Sequence, residues 1–211
     1  YGRPETDFYY AELSESDNQS WDQDNDGRYC EDNDSIDFYA EVNVGRIPWS
    51  TQSIVANICQ KSINYESNDD PSFKKNILLL GAYFWSNTDN AVLMEAKVNQ
   101  PWMSDWTMTR LYEKNSDYYS SYDCDYELLR SNVVSVWSSG TYAFVNWAGH
   151  GSETSSHIYG IGAPAFISSS DCSSLNDDYP AIIFADACSN SDTDYTNIGA
   201  SMLEQGGVGF V

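Results

Sequence analysis

Short apolar runs separated by polar segments dominate the second half of the chain. The runs are closed by turn-forming residues, and we predict strands at residues 77–82, 107–112, 142–147, 181–185 and 208–211. Several runs are apolar almost without interruption, which indicates strands that are buried on both faces. Such strands are typical of a parallel sheet covered by helices.

Helical periodicity lies between these strands. We predict helices at residues 92–98, 126–138 and 198–203, where apolar side chains recur every three or four positions. Strand and helix therefore alternate through residues 77–211. This alternation predicts an α/β fold, a parallel sheet flanked by helices with right-handed crossovers.

The first part of the chain has a different pattern. Residues 38–44 alternate as in a strand, and a helix capped by Ser50 or Thr51 runs to about residue 65, with Cys59 on its apolar face. A polar linker with Pro71 follows. We predict an N-terminal lobe at residues 1–70, with an acidic loop, a strand and a helix, and an α/β lobe at residues 71–211 that is truncated at its C-terminal end. We expect further segments of its own precursor to be partners.

Candidate chemistry stands at the ends of two predicted strands. His150 follows the run 142–147 between two glycines, and Cys188 follows the run 181–185. Ligands of parallel α/β sheets bind outside the carboxyl ends of the strands. If the two strands are neighbours, the imidazole and the thiol lie at the same edge of the sheet.

An imidazole beside a thiol is suited to nucleophilic catalysis. A free cysteine titrates near ~8.5, and a nearby histidine can take its proton and later protonate a leaving amine. The backbone amides of Gly151 and Cys188 are candidates for an oxyanion hole. A lone cysteine at a strand end is more often a small core residue, but the two motifs together favour the catalytic interpretation.

These motifs also resemble a known family. Residues 144–154, followed by residues 183–188, are similar to the gingipain-type cysteine peptidases, which share a His-Gly and an Ala-Cys motif with caspases and legumains. Residues 42–48 resemble a further gingipain-type segment. The resemblance implies a caspase/gingipain-like α/β sandwich and an extracellular or cell-surface enzyme, and relatives of this type cut after Arg or Lys.

Charge and cysteine content narrow the function classes. The 211 residues carry a net charge of −22, which disfavours nucleic acid and anionic membranes as partners. No apolar run approaches the ~20 residues of a membrane span. With Cys188 set aside, four cysteines remain, Cys30, Cys59, Cys124 and Cys172; they can form two disulfides in any of three pairings or stay as thiols.

An acidic loop near the N-terminus predicts a metal site. Asp22, Asp24 and Asp26 alternate and are followed by a glycine that permits a sharp turn, as in the first half of a calcium loop, with the Arg28 carbonyl as a further ligand. Asn33 stands where an EF-hand would have Glu, so Glu31, Asp32 or Asp34 would supply the missing carboxylate. A similar loop in gingipain-like sequences supports a structural calcium ion; the alternative is a solvated acidic loop.

Taken together, the sequence predicts a secreted or cell-surface cysteine endopeptidase acting on protein or peptide substrates. The alternatives are a catalytically silent, calcium-stabilised surface or adhesion module of the same fold, and a transpeptidase that uses the same pair. Three other residues are weaker candidates: His157, which we expect on the rim; Glu95, conceivable as an acid supporting the histidine; and Asp186, which could favour a basic substrate group.

Overall fold

The computed structural model describes residues 7–13, 20–31, 33–34, 36, 38–114, 117–160 and 162–211. The chain divides into two compact units, Tyr1–Ile47 and Pro48–Val211. The helix predicted to end the N-terminal lobe lies in the second of these units.

The first unit is built around Trp21, which is buried in a short 3₁₀ helix, Ser20–Asp22. A second 3₁₀ helix, Asp7–Tyr10, brings the ring of Tyr9 to 5.3 Å from the Trp21 ring. The indole nitrogen of Trp21 donates a hydrogen bond to Glu12 (3.3 Å), so the polar atom of this buried ring has a partner.

The prediction of a strand at residues 38–44 is wrong. These residues do not enter a ladder among the described residues, and Phe38 and Tyr39 are largely exposed. The amides of Glu41 and Val42 both donate to the single carbonyl of Ala11, whereas a ladder would require a new partner every second residue. Alternation of apolar and polar residues therefore indicated an extended segment without a partner strand.

The second unit contains the predicted parallel sheet. Its strands and those of two smaller sheets are β1 Asn76–Gly81, β2 Tyr83–Trp85, β3 Thr88–Asp89, β4 Thr107–Tyr112, β5 Tyr126–Glu127, β6 Phe144–Ala148, β7 His150–Ser152, β8 Ser155–His157, β9 Ala165–Ser168, β10 Ala181–Asp186 and β11 Gly207–Phe210. Within the described residues the main sheet has six strands in the order β11-β10-β6-β1-β4-β5, and every neighbouring pair is parallel. The expected α/β fold is confirmed.

Helices flank this sheet. They are α1 Gln52–Ser67, α2 Pro71–Lys74, α3 Ala91–Val98, α4 Arg130–Ser139 and α5 Ile198–Glu204, with 3₁₀ helices at Pro101–Met103 and Ser169–Ser174. Among the described residues, the structure has no helix that is both long and apolar enough to cross a membrane.

The start of α4 corrects one prediction. A helix was expected from residue 126, but Tyr126–Glu127 pairs with β4 as the edge strand β5, and Leu129 keeps an extended backbone. The Leu128 amide donates to the Tyr112 carbonyl (2.9 Å), which extends the pairing. Apolar side chains at helical spacing continue upstream of Arg130, so the periodicity alone placed the helix start too early.

Alternate residues of β1 enter two separate apolar clusters. Leu78 and Leu80 pack into the cluster that contains Trp147, while Leu79 packs with Met94 and Tyr112 on the other face. All three leucines are at most 1% exposed, and burying each contributes roughly 1.5–3 kcal/mol. The sheet is therefore buried on both faces, as its near-continuous apolar run predicted.

Two small antiparallel sheets carry the loops at the carboxyl end of the main sheet. β2 and β3 form a hairpin directly after β1, and β7, β8 and β9 form a three-stranded sheet directly after β6. Because both follow central strands, their residues lie where substrates of such sheets bind.

Candidate active site

The strands that precede His150 and Cys188 are neighbours. β6 and β10 pair in parallel with Ala148 opposite Asp186, so the two strands end level with each other. The pairing continues one residue further, because the Gly149 amide donates to the Asp186 carbonyl (3.1 Å). The predicted adjacency of the two strands is confirmed, and the two motifs emerge from the same edge of the sheet.

The backbone of Gly151 lies directly against that of Cys188. A Cβ placed on Gly151 would be 2.1 Å from the Cys188 carbonyl oxygen and 2.7 Å from its amide nitrogen. Real Cβ atoms do not come this close to backbone atoms, so this contact requires glycine. Gly151, the residue after His150, therefore contacts the backbone of Cys188. The Cys188 residue itself is exposed.

The cysteine stands at a sharp turn. The residue after it, Ser189, has φ 57°, a left-handed conformation that is uncommon for a residue with a side chain. Asn190 then turns inward and is only 2% exposed, whereas Cys188 and Ser189 are exposed. The turn thus presents the thiol outward while the following residue is anchored in the interior.

His150 is half-buried, and its ring has a defined orientation. Its Nε2 atom lies 2.7 Å from the backbone carbonyl oxygen of Phe84, which follows β1. Because a carbonyl only accepts, Nε2 carries the proton in this hydrogen bond. In the neutral ring Nδ1 therefore holds the lone pair and is the nitrogen able to accept a proton.

Aromatic rings surround this imidazole. The ring centroids of Phe84, Trp85 and Tyr159 lie 5.9, 5.5 and 5.6 Å from that of His150. Trp85 is 61% exposed and forms an apolar surface beside the histidine. These contacts restrict the ring and cover one side of it.

A buried carboxylate ties the surrounding loops together. Glu113 is 1% exposed and accepts hydrogen bonds from the amides of Tyr83 (2.8 Å), Tyr159 (3.2 Å) and Gly160 (2.9 Å). It thereby joins the segment after β1 to the segment after β8, the two segments that contact His150. Sequence reasoning missed Glu113, since a single acid after a strand carries no signal that separates it from a surface residue.

His157 and Asp186 lie near the two motifs but have other contacts. His157 is opposite His150 in the β7–β8 pairing, but its two ring nitrogens lie 2.8 Å from the Ser155 hydroxyl and 2.8 Å from the Ala163 carbonyl. Asp186 is exposed at the end of β10, and its carbonyl accepts from Gly149.

Glu95 does not support the histidine. It receives a hydrogen bond from Arg110 (2.7 Å) and another from the Tyr112 hydroxyl. Burial alone would raise the pKa of the Glu95 carboxyl, but these hydrogen bonds and the Arg110 charge hold its pKa below the ordinary value. The described contacts of Glu95 make it part of a structural ion pair beneath α3.

All five cysteines lie in the described residues, and all are free thiols. Cys59 is exposed on α1 and not on an apolar face as predicted. Burial, and to a lesser extent the neighbouring Asp171 carboxylate, together raise the pKa of the Cys172 thiol to about 12. Cys172 is therefore a core thiol of low reactivity, in contrast to the exposed Cys188.

The acidic loop of the first unit folds back on itself. The Gly27 amide donates to the Asp22 carboxylate (3.2 Å), and the Asp34 carboxylate accepts from the amides of Gln23 (2.7 Å) and Glu31 (2.9 Å). Two groups have carboxylate oxygens within 4.8 Å of one another: Asp22, Asp24 and Asp34, and Asp24, Asp26 and Glu31.

These groups differ from the predicted ligand set. The first group joins two predicted ligands, Asp22 and Asp24, to Asp34. The second group joins Asp24 and Asp26 to Glu31, so Asp24 belongs to both. Both completing residues were among the alternatives that the sequence left open, and Asp32 lies outside the described residues. Clustered oxygen donors of this kind fit a hard cation such as calcium. The Arg28 carbonyl stays a predicted ligand.

Comparison with known proteins identifies the family. Searches among curated proteins and among solved structures found no match. The sequence model of peptidase family C25 matches residues 1–211, the whole chain. The resemblance carried by the His-Gly and Ala-Cys motifs is therefore confirmed, and the chain belongs to peptidase family C25, the gingipain family of cysteine peptidases.

Proposed function

We propose that this chain is an endopeptidase in which Cys188 is the nucleophile and His150 the general acid and base. One observation carries the proposal: Gly151 contacts the backbone of Cys188 at the shared carboxyl end of two neighbouring strands. The residue adjacent to the histidine and the cysteine itself are thus in direct contact. Protein or peptide substrates follow from membership of the family.

The chemistry proceeds through an acyl-enzyme. Nδ1 of His150 takes the thiol proton, and the sulfur of Cys188 attacks the scissile carbonyl carbon. When the tetrahedral intermediate collapses, the C–N bond breaks and His150 protonates the leaving amine. Water then attacks the thioester and gives a proton to His150. When the C–S bond breaks, the acid is released and His150 returns the proton to the sulfur, which restores the thiol. The Phe84 carbonyl stabilises the imidazolium that forms in each step, because it accepts from Nε2.

The oxyanion of both intermediates would be held by the amides of Gly151 and Cys188. Gly151→Ala is therefore expected to lower kcat/KM by roughly 10²–10³-fold, since its Cβ would overlap the Cys188 carbonyl and displace both amides. Gly209→Ala is the matched control, because a Cβ there meets only Ile182 at 3.9 Å. Steady-state kinetics on both folded variants make the measurement; equal activity would remove Gly151 from the proposed site.

Labelling of the thiols tests the proposed function. The purified chain is treated with iodoacetamide at pH 6, labelled cysteines are mapped by mass spectrometry, and cleavage of an unfolded protein substrate is followed in parallel. We expect Cys188 to react first and cleavage to fall in proportion to its labelling. The exposed Cys30 and Cys59 are internal references, because ordinary thiols are mostly protonated at this pH. Cleavage that survives complete labelling of Cys188 would refute the proposal.

Secretion or display at the cell surface is also part of the proposal. It is supported by the family resemblance and by a composition high in Asp, Asn, Ser and Tyr with only ten Lys plus Arg. Segments of the chain's own precursor stay predicted partners.

A structural calcium ion in the acidic loop is the proposed cofactor. It would be structural and not catalytic, because the loop belongs to the unit Tyr1–Ile47 while His150 and Cys188 belong to the unit Pro48–Val211. The support is the carboxylate geometry around Asp24, which is shared by both groups. Carboxylates grouped this closely repel one another, and a cation among them would offset that repulsion.

Calcium is expected to raise the melting temperature. A ligand at a hundredfold excess over its Kd stabilises the folded state by about 2.7 kcal/mol, which corresponds to a rise of roughly 5–10 °C for a chain of this size. Differential scanning calorimetry with calcium and with EGTA measures the shift. Asp24→Asn should abolish the difference, and Asp69→Asn, an exposed aspartate outside the loop, should keep it. A wild-type melting temperature indifferent to both additions would exclude the site.

A further inference from the structure

Asn190 connects the loop that follows Cys188 to the hairpin that begins with His150. Its side-chain amide donates hydrogen bonds to the carbonyls of Ser152 (2.7 Å) and Ser155 (3.3 Å). Those two carbonyls flank the turn between β7 and β8, and β7 starts at His150. A single amide group thus holds the two segments that carry the proposed dyad.

The other atoms of Asn190 are engaged as well. Its side-chain oxygen accepts from the Ser156 hydroxyl (2.7 Å), and Ser156 is fully buried on β8. Its backbone carbonyl accepts from the Gly199 amide (3.0 Å), at the start of α5. The carbonyls can only accept and the Ser156 hydroxyl donates, so these partners fix which way the amide points.

This arrangement is rigid for a physical reason. Asn190 is only 2% exposed, and a buried amide that loses its partners cannot replace them with water. The turn at Ser189, with φ 57°, connects Asn190 to Cys188 through one residue. A displacement of the Asn190 side chain would therefore move the Cys188 backbone relative to the β7–β8 hairpin.

We propose that Asn190 is a positioning residue, which fixes the Cys188 thiol at the distance from His150 that proton transfer requires. The proposal rests on the proposed function of Cys188 and His150. The side chain of Asn190 hydrogen-bonds to the hairpin, so it acts through the backbone that connects it to Cys188. Its loss is expected to slow the chemical step more than to weaken substrate binding.

Two substitutions disrupt the hydrogen bonds of Asn190 in different ways. Asn190→Ala removes all three side-chain hydrogen bonds. Asn190→Asp keeps the shape and the acceptor for Ser156, but it places a carboxylate oxygen against the carbonyls of Ser152 and Ser155, where the amide donated. We expect both variants to lower kcat by about 10–100-fold, as for a misplacement of about 1 Å, and to leave KM within about twofold.

The pH dependence of alkylation distinguishes positioning from general loss of structure. At pH 6, where the thiolate depends on His150, the iodoacetamide rate at Cys188 should fall about tenfold in both variants. At pH 9, where an isolated thiol also ionises, the rate should match that of the wild type. A residue that only stabilised the fold would leave the ratio of the two rates unchanged.

Asn76→Ala is the matched control. Asn76 also donates to a backbone carbonyl, that of Thr141 (2.7 Å), but it begins β1 and lies at the opposite end of the sheet from His150. We expect kcat, KM and the pH 6 to pH 9 ratio of alkylation to stay at wild-type values in this variant.

The outcomes are separable. If the wild-type Cys188 shows no preferential reaction at pH 6 and no cleavage, the proposed function fails and this inference fails with it. If the wild type is active and both Asn190 variants keep its kcat and its ratio of rates, only the positioning role is overturned.

If the Asn190 variants do not fold, as judged by circular dichroism, Ser156→Ala replaces them. It removes one hydrogen bond to Asn190, and a pH 6 rate within 20% of the wild-type value, on the order of ordinary assay error, would then overturn the role.

Discussion

Cys188→Ala is expected to abolish peptide cleavage while the fold is retained. Removing the nucleophile of a catalytic pair lowers kcat by roughly 10⁴–10⁶-fold, because no acyl-enzyme can form. The thiol is exposed at a turn, so the free energy of unfolding should change by no more than about 1 kcal/mol. Cleavage of an unfolded protein substrate, measured beside a thermal melt, gives both values.

Cys59→Ala is the control for this substitution. Cys59 is also an exposed free thiol, but it lies on α1 and not at the carboxyl end of the sheet. Its replacement should leave activity at the wild-type level. Cleavage that persisted in a folded Cys188→Ala protein would place the nucleophile elsewhere, and the catalytically silent surface or adhesion module would become the better account.

His150→Ala is expected to lower kcat by a similar factor. The imidazole both removes the thiol proton and protonates the leaving amine, so its loss blocks two proton transfers. The double variant with Cys188→Ala should be no less active than either single variant, because groups that act as a unit have non-additive effects. Steady-state kinetics of the two single variants and the double variant test this.

His157→Ala is the internal comparison for His150. The two histidines face each other across β7 and β8, but the His157 nitrogens lie against Ser155 and Ala163. We expect this variant to keep most of its activity. If His157→Ala lost as much activity as His150→Ala, the general base would have to be reassigned or the hairpin as a whole would be responsible.

The central strands could be predicted because a strand buried on both faces is apolar at successive positions of the sequence. The run that forms β1 is apolar at Leu78, Leu79 and Leu80 alike, and the structure buries all three. The short strands β7 and β8 could not be predicted, because their residues are mostly polar and the strands are held by antiparallel pairing that forms only in the folded protein. Helical periodicity also gave a wrong prediction at β5. Tyr126 and Glu127 were expected in a helix, but they pair with β4 at the edge of the sheet, and this pairing depends on the folded structure.

The proposed dyad could be located from its motifs, but its support could not. His150 and Cys188 stand at strand ends, so the topology of a parallel sheet predicts that they share an edge. The Phe84 carbonyl that orients His150 belongs to the backbone, and any residue could supply it. Glu113 and Asn190 act through amides and carbonyls of distant loops, which leaves no signal in their own residue types.

The most direct test of the central claim is detection of the acyl-enzyme. An intact peptide that the wild-type chain is known to cleave is mixed with it, and the reaction is quenched in acid within the first turnovers. The chain is then digested, and the modified residue is mapped by mass spectrometry. The account predicts a thioester on Cys188, formed in the wild type and absent from Cys188→Ala. Active cleavage with the acyl group on another residue, or with no acyl group on Cys188 under any quench time, would contradict it.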